Sequence, residues 1–182
     1  MKTRDIIFES RKYSGSVAPP ATMEDISRWG NDGVFTNAPT WTKLPSDFWY
    51  LAFVAASTQL VTIGDINSVA RAIEFWLSPD STTESILEEV AATGISINAG
   101  AMQYPSWDDC YIDGANTDTI TTGWHHVVIT STTNVVMTAF RLGLVNITYL
   151  DGFIASVIVY SYEPSAGQVA QKYEESRRWF GK

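Results

Sequence analysis

Apolar residues in this chain fall into short runs separated by turn residues at close spacing. The runs at 48–56, 60–63, 70–77, 85–91, 94–98, 110–113, 117–121, 125–130 and 135–142 predict β-strands. They are rich in Val, Ile, Thr and aromatic residues and too short for amphipathic helices. The run at 147–162 reads as two strands, because Asp151-Gly152 interrupts it with a dipeptide that signals a hairpin turn. Before the first run, Pro19-Pro20 and Trp29-Gly30-Asn31-Asp32-Gly33 are turn chemistry, so the opening segment reads as irregular. Only the C-terminus predicts a helix. Pro164 precedes Ser165, and Ser165 with Gln168 forms a capping box opening a helix over 165–180.

Many short strands without repeats or a linker predict an all-β, antiparallel two-sheet sandwich with one short C-terminal helix. The reading is of one domain over 1–182, with 1–24 as an N-terminal arm. At 182 residues a chain can bury a full core without covalent staples. Aromatic residues make up 13% and charged residues 18%, and that balance argues against disorder.

Charge removes one class of partner. The net charge is −8, and the basic residues gather at the ends: Lys2, Arg4, Arg11 and Lys12, then Lys172, Arg177, Arg178 and Lys182. Between them stand only Arg28, Lys43, Arg71 and Arg141, against sixteen acidic residues from Glu24 to Glu163. Such a body repels phosphate, so neither nucleic acid nor an anionic membrane is an expected partner. The lone Cys110 predicts a small strand residue, since one cysteine makes neither an internal disulfide nor a Cys-based zinc site. The N-terminus lacks an apolar stretch of signal-peptide length, and no run is long enough to span a membrane as a helix. The expectation is synthesis in the cytoplasm without a signal peptide.

The order of certain motifs resembles the laminin-G-like, pentraxin-like group of concanavalin A-like lectin domains. They are Asp25-Ile26-Ser27 with Gly30-Asn31-Asp32-Gly33, then Trp49-Tyr50-Leu51-Ala52-Phe53, then Leu60-Val61-Thr62-Ile63-Gly64. Ile73-Glu74-Phe75-Trp76-Leu77-Ser78-Pro79, Tyr111-Ile112-Asp113-Gly114 and Trp124-His125-His126-Val127 follow. Leu150-Asp151-Gly152-Phe153-Ile154 and Val157-Ile158-Val159-Tyr160 close the series, before a helix carrying Tyr173. The resemblance implies a concanavalin A-like jelly roll. It does not imply one function, because such domains serve as lectins, adhesion modules, hydrolases and virion surface proteins.

Catalysis finds little footing. Glycoside hydrolases of this fold carry three carboxylates at E-x-D-x-x-E spacing, and nothing here matches. Glu74 reads as an outward, solvated carboxylate, and Glu84, Glu88 and Glu89 read as a solvated loop or strand edge. His125 and His126 are strand neighbours that point to opposite faces and cannot chelate one ion. One is expected inside and the other in solvent. Some relatives bind calcium, and Asp108, Asp109 and Asp113 are the residues a calcium would use here. Asp113-Gly114 is already explained as a turn, however, and Phe53-Val54-Ala55-Ala56 lacks the acidic residue of the family's usual site. No cofactor is expected.

Sugar binding needs an exposed aromatic face and convergent polar groups. Tyr104-Pro105-Ser106-Trp107-Asp108-Asp109 offers both, with Trp107 as platform and Tyr104, Asp108 and Asp109 beside it. Trp41 is a second candidate platform. The run Phe153 to Tyr160 is apolar at almost every position, which requires cover on both faces. The cover is either the chain's own arm or helix, or another subunit meeting Phe153, Ile158 and Tyr160. Two readings therefore stand. One is a non-enzymatic structural or attachment module in a protein assembly, either a homo-oligomer or a capsid, as in a bacteriophage decoration protein on a virion surface. The other is a free carbohydrate-binding lectin, with a glycoside hydrolase a distant third.

Overall fold

The computed structural model describes residues 6–10, 12–66 and 69–182. In chain order the strands are β1 (Ile6–Glu9), β2 (Thr22–Met23), β3 (Gly33–Thr36), β4 (Thr40–Lys43), β5 (Trp49–Phe53), β6 (Leu60–Gly64), β7 (Val69–Pro79), β8 (Glu84–Val90) and β9 (Thr93–Asn98). There follow β10 (Ala101–Gln103), β11 (Asp109–Ile112), β12 (Ala115–Asn116), β13 (His125–Val136), β14 (Phe140–Leu142), β15 (Leu144–Val145), β16 (Thr148–Tyr149) and β17 (Gly152–Tyr160). The helix α1 (Ala166–Ser176) and a 3-10 turn at Arg177–Phe180 close the chain.

Two large antiparallel sheets face each other. The first runs β12-β11-β13-β7-β17-β5-β4, and the second β10-β9-β8-β14-β6-β3-β2. Between them lies the core. Ile73, Phe75 and Leu77 of β7, Val127 and Ile129 of β13, and Ile154, Val157 and Val159 of β17 meet Leu87, Ile95, Ile97, Phe140 and Leu142. Alternation along each strand aims these side chains inward, and burying one stabilises by about 1.5–3 kcal/mol.

Most predicted runs from Phe48 onward form strands, but 125–130 and 135–142 divide differently: β13 runs unbroken over His125–Val136, and β14 is confined to Phe140–Leu142. Residues 117–121 form no strand, although Thr119 makes an isolated bridge with Ala101. Asp151-Gly152 closes no hairpin. β16 pairs with β15 instead, and Asp151-Gly152 carries the chain from that small hairpin into β17 of the first sheet. Gly152 is required there, because a Cβ would stand 2.6 Å from the Ser78 carbonyl oxygen. Asp113-Gly114 does turn the β11–β12 hairpin, with positive φ at both residues, the geometry that matches strand twist. The capping box forms as predicted, Ser165 accepting from the Gln168 amide and Gln168 from the Ser165 amide. The helix then tightens into the 3-10 turn at Arg177.

The segment read as irregular contains β1 and β2, and β3 and β4 also lie outside the predicted runs. β17 pairs with β7 along one edge, while its other edge is shared by β5 at Gly152–Ile154 and β1 at Ile158–Tyr160. A bulge at Ser156, with φ 54°, separates the two halves. Ser10 fills it, donating its amide to the Val157 carbonyl at 2.8 Å and accepting from the Val157 amide at 2.9 Å.

Both faces of β17 are covered by the chain itself. Beneath lies the core. Above, Ala155 joins Phe48, Trp76 and Phe180 under the C-terminal segment, and Phe180 stacks on Trp76 at 4.0 Å. Ile158 and Tyr160 are buried against Ala72, with Ile6 and Tyr162 packed over them. Phe153, half-buried, packs against Tyr50 and Trp124. The three residues proposed to meet another subunit are therefore held by intrachain contacts.

Candidate functional site

The structure does not gather the sequence-predicted sugar residues into one site. Trp107 is only 6% exposed, lies in the main core and donates its indole N–H to the Glu89 carboxylate. It closes the end of the sandwich, and its ring offers no face to a ligand. Asp108 caps the bend of β13, accepting from the Thr132 amide and hydroxyl, both at 2.7 Å, and from Ser131 at 3.2 Å. Those donors, Thr132 foremost, hold its carboxyl below the usual range. Asp109 accepts from the Asn116 amide group at 3.3 Å. Trp41 is half-buried between Tyr13 and Phe35, and its N–H is bonded to the Pro20 carbonyl at 2.7 Å.

Asp113 meets the two histidines. It accepts from the His126 amide and contacts His125 Nδ1, each at 2.9 Å. Burial opposes its ionisation, but these bonds outweigh it and hold the carboxyl low. Among the described residues, no three His, Cys, Asp or Glu side chains are arranged to hold a metal ion. Cys110 is buried, and burial pushes its thiol up to about 12.

Five side chains read as solvated, one of the two histidines and four glutamates, are buried instead. His125 and His126 are both buried, His126 completely, because α1 covers the outer face of the first sheet where one of them was expected in solvent. Glu74 is buried on that same face. It contacts His126 Nε2 at 3.1 Å, pairs with Lys172 of α1 at 3.0 Å and accepts from the Tyr160 hydroxyl. Burial alone would raise its carboxyl, but His126, Lys172 and Tyr160 together bring it to about 2. Glu84, Glu88 and Glu89 are buried as well, since β8 is covered on both faces. The adjacent pair Glu88-Glu89 carried the signal: strand neighbours point to opposite faces, so both could not have faced water on a half-buried strand. Burial pushes the Glu89 carboxyl up, against the bonds from Trp107 and Ser106.

The cover over β8 is the β15–β16 hairpin, and it builds the site. Glu88 on the outer face accepts from the Asn146 amide at 3.3 Å, from the Ala92 amide at 2.6 Å and from Arg141 at 3.0 Å. Thr148 and Ser85 share a hydroxyl–hydroxyl bond. The hairpin thus stands as a wall over the second sheet, and two recesses open along it. One, of about 720 Å³, is lined by Asp80, Glu84, Ser85, Asn98, Tyr149 and Asp151 among others. The other, of about 650 Å³, is lined by Thr93, Gly94, Gln103, Tyr104, Pro105, Asp118 and Val145 among others. Ser96 lines both, so the two recesses adjoin along the outward residues of β9, Gly94, Ser96 and Asn98, and together they are called the trough. Gly94 permits the close approach of β8, for a Cβ there would stand 2.0 Å from the Leu87 carbonyl oxygen.

Rigid supports hold the first recess. Buried Glu84 accepts from the Ser81 hydroxyl at 2.7 Å and the Asp151 amide at 2.9 Å. Asp151 accepts from the Ala55 amide at 2.7 Å. Asp80, Ser96, Asn98 and Tyr149 are left facing the trough without an intrachain side-chain partner among the described residues. Tyr104 stands at the far recess, the one sugar-binding candidate from the sequence that lines this trough. Its neighbour Tyr149 at the other end was not singled out, because only the hairpin's placement over β8 turns it toward the same floor.

No family model matches the chain, and no curated protein matches it. Solved structures do. A Trypanosoma rangeli sialidase mutant displaying trans-sialidase activity matches 99% of this chain at TM-score 0.58 and 12% identity. The binding domain of botulinum neurotoxin DC, solved in complex with SialylT, matches 95% at TM-score 0.58 and 11% identity. Domain 4 of the GH43 extracellular arabinanase AbnA from Geobacillus stearothermophilus, solved with arabinotriose, matches 92% at TM-score 0.52 and 13% identity. The chain spans 34% of the sialidase, 52% of the toxin fragment and 98% of the arabinanase domain. At these identities the likeness concerns the fold alone, an antiparallel two-sheet β-sandwich.

Proposed function

We propose that this chain is a non-enzymatic, lectin-like attachment module that binds a glycan in the trough over β9. The observation that carries the reading is the trough itself: two adjoining open recesses of mixed polar and apolar surface on the sheet, with a tyrosine at each end and unpartnered acceptors and donors between. Sugars present hydroxyls and an apolar ring face, and this arrangement supplies hydrogen bonds to the first and aromatic surface to the second. The trough's elongated, open form suits a chain of sugar units better than a small metabolite, which takes an enclosed pocket. A non-catalytic role is supported by the placement of the carboxylates: Asp80 and Asp118, the two in the trough without a side-chain partner among the described residues, line different recesses. Glu84 and Asp151 are engaged in holding the recess, while Glu74, Glu88 and Glu89 are engaged behind covering elements.

Two structural neighbours were solved with SialylT and with arabinotriose, which agrees with this reading without assigning a ligand. A virion surface is one setting in which such a module would serve as a decoration protein. The attachment is placed in the trough rather than at β17, whose apolar faces the chain covers itself. A glycan array tests the reading, with Tyr149→Ala and Tyr104→Ala beside the wild type. Binding by the wild type, reduced at least tenfold in each variant with unchanged melting, is expected. Wild-type binding that both variants retain in full would move the site elsewhere.

A further inference from the structure

Resting on the reading of the trough as a glycan site, we infer that its ligand is an uncharged oligosaccharide and that acidic sugars are excluded. Among the described residues, no Lys, Arg or His lines either recess. Four carboxylates line them among the described residues: Asp80, Glu84 and Asp151 at one end and Asp118 at the other. None of the four has a cation within ion-pair distance among the described residues; Glu84 and Asp151 are served by neutral amides and a hydroxyl alone. Arg141 is the basic residue nearest in register, in the row Arg141, Glu88, Gly94 across β14, β8 and β9. Its guanidinium is committed to Glu88.

The sign of the site follows. A sialic or uronic acid carboxylate would enter a field of like charge with no donor cation to receive it, and like charges at such separations repel. Neutral hydroxyls meet the opposite situation, since a carboxylate accepts a stronger hydrogen bond from a hydroxyl than a neutral oxygen does. The trough also sets a minimum length. Gly94 to Asn98 spans about 13 Å at roughly 3.3 Å per strand residue, and the two tyrosines lie at opposite ends. One ring cannot reach both, so the ligand is an oligosaccharide.

The test measures affinity of the full chain for matched pairs, a neutral oligosaccharide and its sialylated or uronate-bearing counterpart, at low and physiological salt. A panel that includes arabinotriose and other neutral oligosaccharides provides the first arm. The neutral member is expected to bind at least tenfold more tightly, with the ratio shrinking as salt screens the carboxylates. Asp80→Asn combined with Asp118→Asn, both exposed, is expected to narrow the ratio at least threefold without changing the melting temperature. Acidic members bound as tightly as neutral ones, or an unaltered ratio in the double variant, would overturn the inference while leaving glycan binding in place. Binding to no glycan in either arm would instead remove the functional reading on which it rests.

Discussion

Glu74 allows a quantitative test of how α1 is held to the sandwich. Its carboxylate is buried beneath the helix and meets His126, Lys172 and Tyr160, so its folded-state pKa falls from 4.5 to about 2. A depressed carboxylate contributes stability that is present above its unfolded pKa and lost as pH falls through the folded value. The window is therefore from about 4.5 down to about 2. That distance, at about 1.4 kcal/mol for each pH unit, amounts to roughly 3 kcal/mol. The perturbation is Glu74→Gln, which keeps the shape and removes the charge. Urea unfolding of both proteins across the pH range gives the stability gap between them, and titration of every other carboxylate cancels in the difference. The gap should be larger by about 3 kcal/mol at about pH 7 than at about pH 2, closing mainly below pH 4.5. A gap that is constant with pH would show that the charge of Glu74 is not what ties Lys172 and the helix to the sheet.

The end of the sandwich near Trp107 yields two further expectations. Trp107→Ala should lower stability by about 3–5 kcal/mol in urea unfolding, because it empties a core position, and a loss below about 1 kcal/mol would contradict the buried placement. Glu89 is shifted in the opposite sense to Glu74: burial raises it, so the folded protein holds this proton more tightly than the unfolded chain. Its contribution is fully present below the unfolded pKa and lost as pH rises through the raised folded value. Glu89→Gln should remove that loss, so the variant gains on the wild type as pH increases. A wild type that gains on the variant instead would refute the assignment.

Most strands from Phe48 onward, the helix cap and the sandwich were legible in the sequence, because these rest on local periodicity and turn chemistry, whereas β1 to β4 exist only through their pairing partners. Alternation of Ile73, Phe75 and Leu77 specifies an inward face without knowledge of any partner strand, and Ser165 with Gln168 closes its capping box within one helical turn. What the sequence left open is what lies over the outer faces. Phe153 to Tyr160 required cover, and only the folded chain decided that β1 and the C-terminal segment provide it. Trp107 looked like a platform because its loop is polar and stiffened by Pro105, yet an aromatic ring beside Glu89 across the sandwich end is more stable inside than out. The trough has the same origin. Gly94, Ser96, Asn98, Tyr104 and Tyr149 are scattered over 56 positions of sequence. They converge because the β15–β16 hairpin, short and unremarkable as a sequence, folds back over β8 and is fastened there by Glu88 and Ser85. Local sequence fixes which face of a strand is apolar, but long-range pairing decides which faces meet water, and a binding surface is made of the faces that do.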